Sequence, residues 1–531
     1  MRIKYFRYSI ILIFIIFFAC RKETVTNWDV DITGPIVTSK LNIKNFLNDS
    51  LFNTDANGLL TLNVNREVAY VKVDSLLKLP DTTIVKDFLY PAFFPTTVTP
   101  GQSFNFLPIT PLTFSISNGV ALKYGIIKQG TLKLKYSNNA STVDSLDFLY
   151  VLPGITKNYQ PLIIKERIPP GENSLTKTYI LNGYHVDFTA GGLANFNTIT
   201  QNYTVSTSPY AAPMELTLGK GAKVEISYTD IIPQYAKGYF GQQNVPVNID
   251  TAVFDVFKNF NATNFQLKDA TLDFTLINEF GAEFNGSLYN IHSINTVNQN
   301  SVALNTQQLS SININRAFEL GGQINPAVKL INLNKNNSNI LPFISNLPNK
   351  IAYAGNVKLN PLGNTSGYQD FAYFNTGIKV MADIKIPMRF NASSFILRSD
   401  AAINLSNLEQ LDIVNYGNII ISAKNGYPFD AILQAYMVDA SNTIIDSLFL
   451  NTNNKIDKGI TDAQNMVIAQ TSQKLYIPVT TEKIANIKKS KSIKIKAILV
   501  MPPNPPDIII KDTYEIDIDM IIDLNCKVKR K

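Results

Sequence analysis

The chain has 531 residues, with 48 Lys and Arg against 41 Asp and Glu, 45% hydrophobic and 17% charged residues. That is apolar material for about two to four packed domains, and it excludes a disordered chain. A formal charge of +7 without a nucleic-acid-binding motif sets that class aside, and two Cys and two His leave little for a disulfide framework, a His-based metal site or a catalytic triad.

The first element is a secretory signal. Arg2, Lys4 and Arg7 precede an unbroken apolar run from Ile10 to Phe18, then Ala19 and Cys20. The run is too short for a spanning helix, which needs about 20 apolar residues. Polarity switches at once to Arg21-Lys22-Glu23-Thr24. Phe17-Phe18-Ala19-Cys20 resembles a lipobox, the signal-peptide ending of bacterial lipoproteins. Ala19 fits the small residue wanted before Cys, and Phe17 departs from the usual Leu. The resemblance implies that residues 1–19 are removed and that Cys20 carries a diacylglycerol. Several acyl chains hold firmly, at about 0.8 kcal/mol per buried CH₂. No acidic cluster follows Cys20, which points to the outer membrane's periplasmic face over the cell surface. With Trp28-Asp29-Val30-Asp31 and Tyr235-Ala236-Lys237-Gly238-Tyr239-Phe240-Gly241-Gln242, the chain is similar to large envelope lipoproteins of the Bacteroidota.

Beyond the signal the dominant period is two. Leu60 to Val64, Thr131 to Tyr136 and Tyr514 to Asp519 alternate apolar and polar residues, as half-buried strands do. Asn57-Gly58, Asn118-Gly119, Asn182-Gly183 and Asn425-Gly426 are turn signals. The fold class expected is mainly β: two to three antiparallel β-sandwich-like domains with a few short helices. Pro-rich and polar breaks place an N-terminal β domain at 20–168, a central β-rich domain at 169–390 and a C-terminal sandwich-like domain at 391–531. Three segments share a strand that ends at Asn: Gly130–Asn138, Ala270–Asn278 and Gly417–Asn425. Their spacing makes them domain-sized repeats. The unit is similar to one in late-embryogenesis-abundant type sandwiches and tubular lipid-binding domains, and it transfers no functional residue.

Three helices are expected. Asp250-Thr251 caps one with Val253, Phe254, Phe257 and Phe260 on a face. Ser406-Asn407-Leu408-Glu409 opens a second, and Thr480 or Thr481 a third containing Ile484 and Ile487. The Lys cluster from Lys483 to Lys496 alternates with Ile493 and Ile495, as on a strand with a solvated face. Asp517, Asp519 and Glu515 form an acidic face that the Lys494 strand could balance. Cys526, left without a partner if Cys20 is acylated, is expected to be a packed small hydrophobe.

One short motif recurs. Asp49-Ser50-Leu51, Asp74-Ser75-Leu76, Asp144-Ser145-Leu146 and Asp446-Ser447-Leu448 read D-S-L, and Asp81-Thr82-Thr83 and Asp250-Thr251-Ala252 are related. The pattern resembles the O-glycosylation acceptor of the Bacteroidota, which implies Ser50, Ser75, Thr82, Ser145, Thr251 and Ser447 as acceptors. Asp-Ser is also a common turn pair. His185 and His292 sit in strand-like runs and are expected to be structural. No catalytic residue, metal ligand or cofactor is expected. The reading is therefore a membrane-anchored, non-enzymatic binding or scaffolding protein with an envelope protein or lipid as partner and no nucleic acid. The alternative is a carrier of lipid or another apolar ligand, contacted by Phe254, Phe257 and Phe260. A carbohydrate-processing enzyme comes third.

Overall fold

The computed structural model describes residues 27–45, 51–72, 79–103, 111–141, 143–171, 174–258, 260–404, 413–449, 454–502 and 507–529. The architecture is mainly β, as the alternation predicts, and its long strand ladders are antiparallel. The chain forms two compact units, each assembled from separated segments. One comprises residues 1–61, 256–268 and 387–531, the other 62–255 and 269–386.

The first unit is a sandwich. One sheet has the order Asn27–Leu41, Ile516–Lys529, Ile413–Asn425, Thr471–Pro478. The other runs Asn261–Thr263, Ser394–Ala402, Ser492–Val500, Asp430–Val438, Ile444–Ser447. Alternation decides which face is inside. Ile516, Ile518, Met520, Ile522 and Leu524 are buried, while Asp517, Asp519 and Asp523 between them are not. Phe395, Leu397, Ile493, Ile495, Ala431 and Leu433 bury the facing sheet. An aromatic chain runs through this core. Phe260 meets Phe265 at 5.2 Å, Phe265 meets Phe390 at 5.0 Å, Phe390 meets Phe395 at 5.7 Å, and Phe395 meets Tyr427 at 6.1 Å. Cys526 is fully buried in the strand, as a small hydrophobe would be, and burial pushes its thiol pKa up.

In the second unit the long strands Ala121–Asn138 and Gly221–Tyr239 pair over almost their whole length. Leu146–Lys157 packs across them through Tyr136 and Phe148, 5.5 Å apart. Tyr150 and Tyr228 are both buried, and their hydroxyls meet at 3.0 Å. Further along, one sheet holds Gln243–Val253, Lys350–Leu359 and Phe284–Asn295. A second holds Gly377–Pro387, Thr271–Asn278 and Ala327–Leu333.

The three sequence repeats share one geometry. Asn138, Asn278 and Asn425 are each fully buried at the end of their strand. In every copy the side-chain oxygen accepts the backbone N–H two residues on, from Ala140, Phe280 and Tyr427, at 2.9 Å. In every copy the side-chain nitrogen donates to a carbonyl of the following crossing: Asp144, Ala282 and Phe429. The residue after each Asn donates to the backbone at or just before the start of the partner strand, at Gly221, Gly377 and Glu515. Each Asn therefore locks the turn by which its strand leaves the ladder for the next one. Asn425-Gly426 is accordingly part of a crossing, whereas Asn118-Gly119 is a tight turn with both residues at positive φ, 58° and 70°.

The helices differ from expectation in two places, at 250–260 and at Ile340–Ser345, a short helix that was not expected. Thr481–Lys489 is a helix whose Thr480 hydroxyl caps Lys483 N at 3.1 Å, with Ile484 and Ile487 buried. The segment 250–260 is not a helix. Gln243–Val253 is a strand laid along Lys350–Leu359, followed by one 3₁₀ turn at Asp255–Phe257. Val245, Val247, Thr251 and Val253 are β-branched, and a neighbouring strand to pair with outweighs the local cap signal. Residues 406–409 lie outside the described residues.

Candidate functional site

The lipidation expected at Cys20 falls just before the first described strand. Asn27–Leu41 is an edge strand of the first unit, paired from Asn27 opposite Lys529 to Leu41 opposite Ile516. Its odd-numbered residues carry polar groups that tie the edge together. Asn415 donates to Asp29 at 3.1 Å and to Asn525 at 2.7 Å, and Asn525 donates to Asp31 at 2.7 Å. Thr33 donates to Asp523 at 2.8 Å. On the alternate face Trp28 is 65% exposed, and Val30 is exposed beside it.

The acidic face finds a different partner from the one expected. Lys40 Nζ lies 2.7 Å from Glu515 and 3.3 Å from Asp517, and the hydrogen bond to Glu515, then that to Asp517, holds its pKa above the ordinary lysine value. Lys494 is in the opposite sheet, in register with Asp400 and Tyr436. Alternation gave the face correctly, but strand order across 475 residues of separation decides which cation sits there. Lys483 departs from the solvated cluster too. It is buried, donates to Ser447 O at 2.8 Å and lies 3.7 Å from Asp446.

Cys20, Ser50 and Ser75 lie outside the described residues. The other candidate acceptors differ in access. Thr251 is exposed, on a strand, with its N–H held by Asp250 at 2.6 Å. Thr82 is half-buried and donates to Pro80 O at 3.1 Å. Ser145 is half-buried just before the strand that follows the Asn138 turn. Ser447 is half-buried, and its hydroxyl is within 3.1 Å of both Gln434 Oε1 and Phe449 O.

Phe254, Phe257 and Phe260 are all buried, the last two 6.4 Å apart. In the first unit a cavity of about 310 Å³ lies elsewhere, lined by Phe429, Met466, Val500, Met501 and Ile508, with Asp430, Lys458 and Asp507 at its wall. In the second, an apolar void of about 20 Å³ sits among Leu79, Ile116, Leu122, Ile127, Val186 and Phe188. That volume holds about one water and no acyl chain. His185 is exposed with Nδ1 against the Tyr124 hydroxyl, and His292 Nδ1 is 3.3 Å from Ser301 Oγ. Among the described residues no group of three or more His, Cys, Asp or Glu is placed to hold a metal, and no helix is long and apolar enough to cross a membrane.

Sequence reasoning missed two polar centres. Glu319 accepts from Tyr235 at 2.9 Å and Tyr373 at 2.5 Å; burial first, then the bond to Glu319, raises both phenols, Tyr373 to about 12. Arg316 reaches Glu283 and the buried Asp370. Neither centre has a local spacing signal, because its members come together only through sheet pairing.

The class that emerges is a mainly β protein of sandwich-like modules that repeat an Asn-locked crossing. No protein-family model matches the chain, and no curated protein matches it. Among solved structures it is similar to a protein of Parabacteroides distasonis ATCC 8503 inferred to be secreted, at 14% identity over 54% of this chain and 83% of that one, with a TM-score of 0.27. It is also similar to infectious bursal disease virus of the Gx strain, at 8% identity over 93% and 82%, and to that virus's VP2 subviral particle, at 7% over 91% and 86%, both with a TM-score of 0.12. Likenesses this distant identify no activity.

Proposed function

We propose that the protein is a lipid-anchored component of the outer membrane, facing the periplasm, that binds or scaffolds an envelope partner without catalysis. The observation that carries the reading is the sequence from Arg2 to Cys20, a basic, apolar and small-residue succession ending in a lipobox-like Cys. The fold is compatible with a short tether. Seven chain steps separate Cys20 from Asn27, and at about 3.5 Å each they reach no more than roughly 25 Å. An anchored Cys20 would therefore keep the Asn27 end of the edge strand, and Trp28 with it, close to the headgroups. The packed Phe257–Phe260–Phe265 core favours the scaffold over the carrier, since a carrier needs a cavity of ligand size where those rings sit.

The test is expression in a native envelope with Cys20 intact and with Cys20→Ala. The intact protein should fractionate with membranes, start at Cys20 and carry the added mass of its acyl chains. The Cys20→Ala protein should lose that mass and move to the soluble fraction. A mature N-terminus elsewhere, or a variant that stays membrane-bound at unchanged mass, overturns the reading. Protease treatment of whole cells reports the face, and protection is expected.

Glycans need exposed acceptors. Thr251 meets that condition and Ser447 does not, because its hydroxyl is engaged beside a buried lysine. In the native host, mass spectrometry should find glycan on the peptide containing Thr251 and none on that containing Ser447. Glycan on Ser447 with Thr251 bare would reverse the assignment.

A further inference from the structure

One end of the long-stranded part of the second unit gathers several loops. Leu89 pairs with Gly221, Asn138 with Ala222, and Leu146 with both Ile168 and Thr207. The segments 90–95, 139–145, 169–174, 208–213 and 217–220 therefore all leave the sheet at the same end. Four of them present apolar side chains to solvent. Phe93 is 86% exposed, Phe94 84% and Tyr210 93%, with Val143 and Leu218 also exposed. By sequence these segments carry three charged residues, Asp144, Glu172 and Lys220, in a chain that is 17% charged.

The exposure is built in. Tyr90 N donates to Lys220 O at 2.8 Å, Gly219 N returns to Tyr90 O at 2.9 Å, and the Tyr90 hydroxyl holds Phe94 O at 2.7 Å. Asn139 clamps the neighbouring turn, donating to Gly219 O at 3.1 Å and accepting from Gly221 N at 2.7 Å. Gly221 lets the strand ending at Leu89 close in on the same turn, since a Cβ there would lie 1.9 Å from Phe88 O. Pro91 and Pro95 bracket the two rings, so the loop cannot readily fold them inward.

We infer that this sparsely charged, aromatic loop end docks into the interfacial layer of a bilayer. The inference deepens the proposed membrane location. Exposed rings carried on separate loops suit a fluid surface that closes around each loop, whereas a protein partner needs about 800 Å² of continuous matched surface. Phe and Tyr gain by entering the headgroup boundary. The sparse charge makes zwitterionic lipid sufficient and the docking insensitive to salt.

The test supplies its own tether, so it does not depend on native acylation. The chain from Cys20 onward is coupled through the Cys20 thiol to a maleimide phospholipid in phosphatidylcholine vesicles; Cys526 is buried and does not compete. In a Trp28→Phe background, Phe94→Trp reports the loop. Its emission should shift to the blue, be quenched by brominated acyl chains and stay so at high salt. Adding Phe93→Ser should lower the docked-to-undocked ratio about fivefold, the transfer of one ring face from water. Both rings point into solvent, so neither change should disturb the fold. An indole that remains open to iodide on the vesicle overturns the inference. So does a blue shift that needs no lipid and grows with protein concentration, which would make the end a contact between copies of this chain. Failure here with Cys20 acylated in the native host would leave the anchor standing.

Discussion

Replacing Asn425 by Ala should destabilise the first unit by about 3–5 kcal/mol, far more than a surface Asn change. The side chain is fully buried and makes three bonds: it accepts Tyr427 N at 2.9 Å and donates to Phe429 O at 2.9 Å and Asp457 O at 3.0 Å. Removing it leaves one N–H and two carbonyls short of a partner inside the core, at about 1–3 kcal/mol for each group that water cannot reach. Urea unfolding followed through Tyr fluorescence measures the change. Asn425→Asp separates hydrogen bonding from shape. The carboxylate still accepts Tyr427 N, but it faces two carbonyls to which it cannot donate. Burial raises such a carboxyl's pKa above its unfolded value near about 3.9, so the variant should be worst at neutral pH and recover as pH falls through that raised value. Matching losses at Asn138 and Asn278 in the other unit would show that the lock is shared. A loss under about 1 kcal/mol for Asn425→Ala would mean that water replaces the amide, and the lock would not be what sets the crossing.

Much of this was legible in the residues. Period two gave the strands at Leu60 to Val64 and Thr131 to Tyr136 and, from Tyr514 to Asp519, the start of the one at Ile516–Lys529, because a face that must be buried imposes alternation directly on the chain. The repeat at Asn138, Asn278 and Asn425 was visible as a pattern, though not the reason for it, since nothing local says that an amide will be buried. The helix at Thr481–Lys489 followed from its cap and its 3.6-residue spacing. The same kind of signal misled at Asp250-Thr251, where Lys350–Leu359 offered a ladder from a hundred residues away. Long-range pairing also decided that Lys40 meets Asp517. The apolar loop end is a further case. Nothing local in Phe93-Phe94 says which way the rings turn, and only the closing of the strands around the loop leaves them pointing outward.

The second large effect is expected at Arg316. Its guanidinium lies 2.7 Å from Glu283 Oε1 and 3.9 Å from Asp370 Oδ1. Asp370 is fully buried. Its Oδ2 accepts from Asn360 at 2.8 Å and from Phe240 N at 3.2 Å, while its Oδ1 has no hydrogen-bond partner among the described residues. Arg316→Met keeps the stem and removes the charge. Glu283 is about a quarter exposed and can turn towards water, but the Asp370 side chain, at 1%, cannot. The cost is then that of a buried carboxylate deprived of its cation, about 3–5 kcal/mol. Asp370→Asn in the same background should return part of the loss, because the amide keeps an acceptor for Phe240 N without the charge. The double-mutant cycle should give a coupling of about 2 kcal/mol. Arg316→Lys should recover little, since a single ammonium cannot reach both carboxylates in the fork geometry. If Arg316→Met alone costs under about 1 kcal/mol, Asp370 is compensated by its two hydrogen bonds, and the arginine serves Glu283 and the 360–370 loop instead.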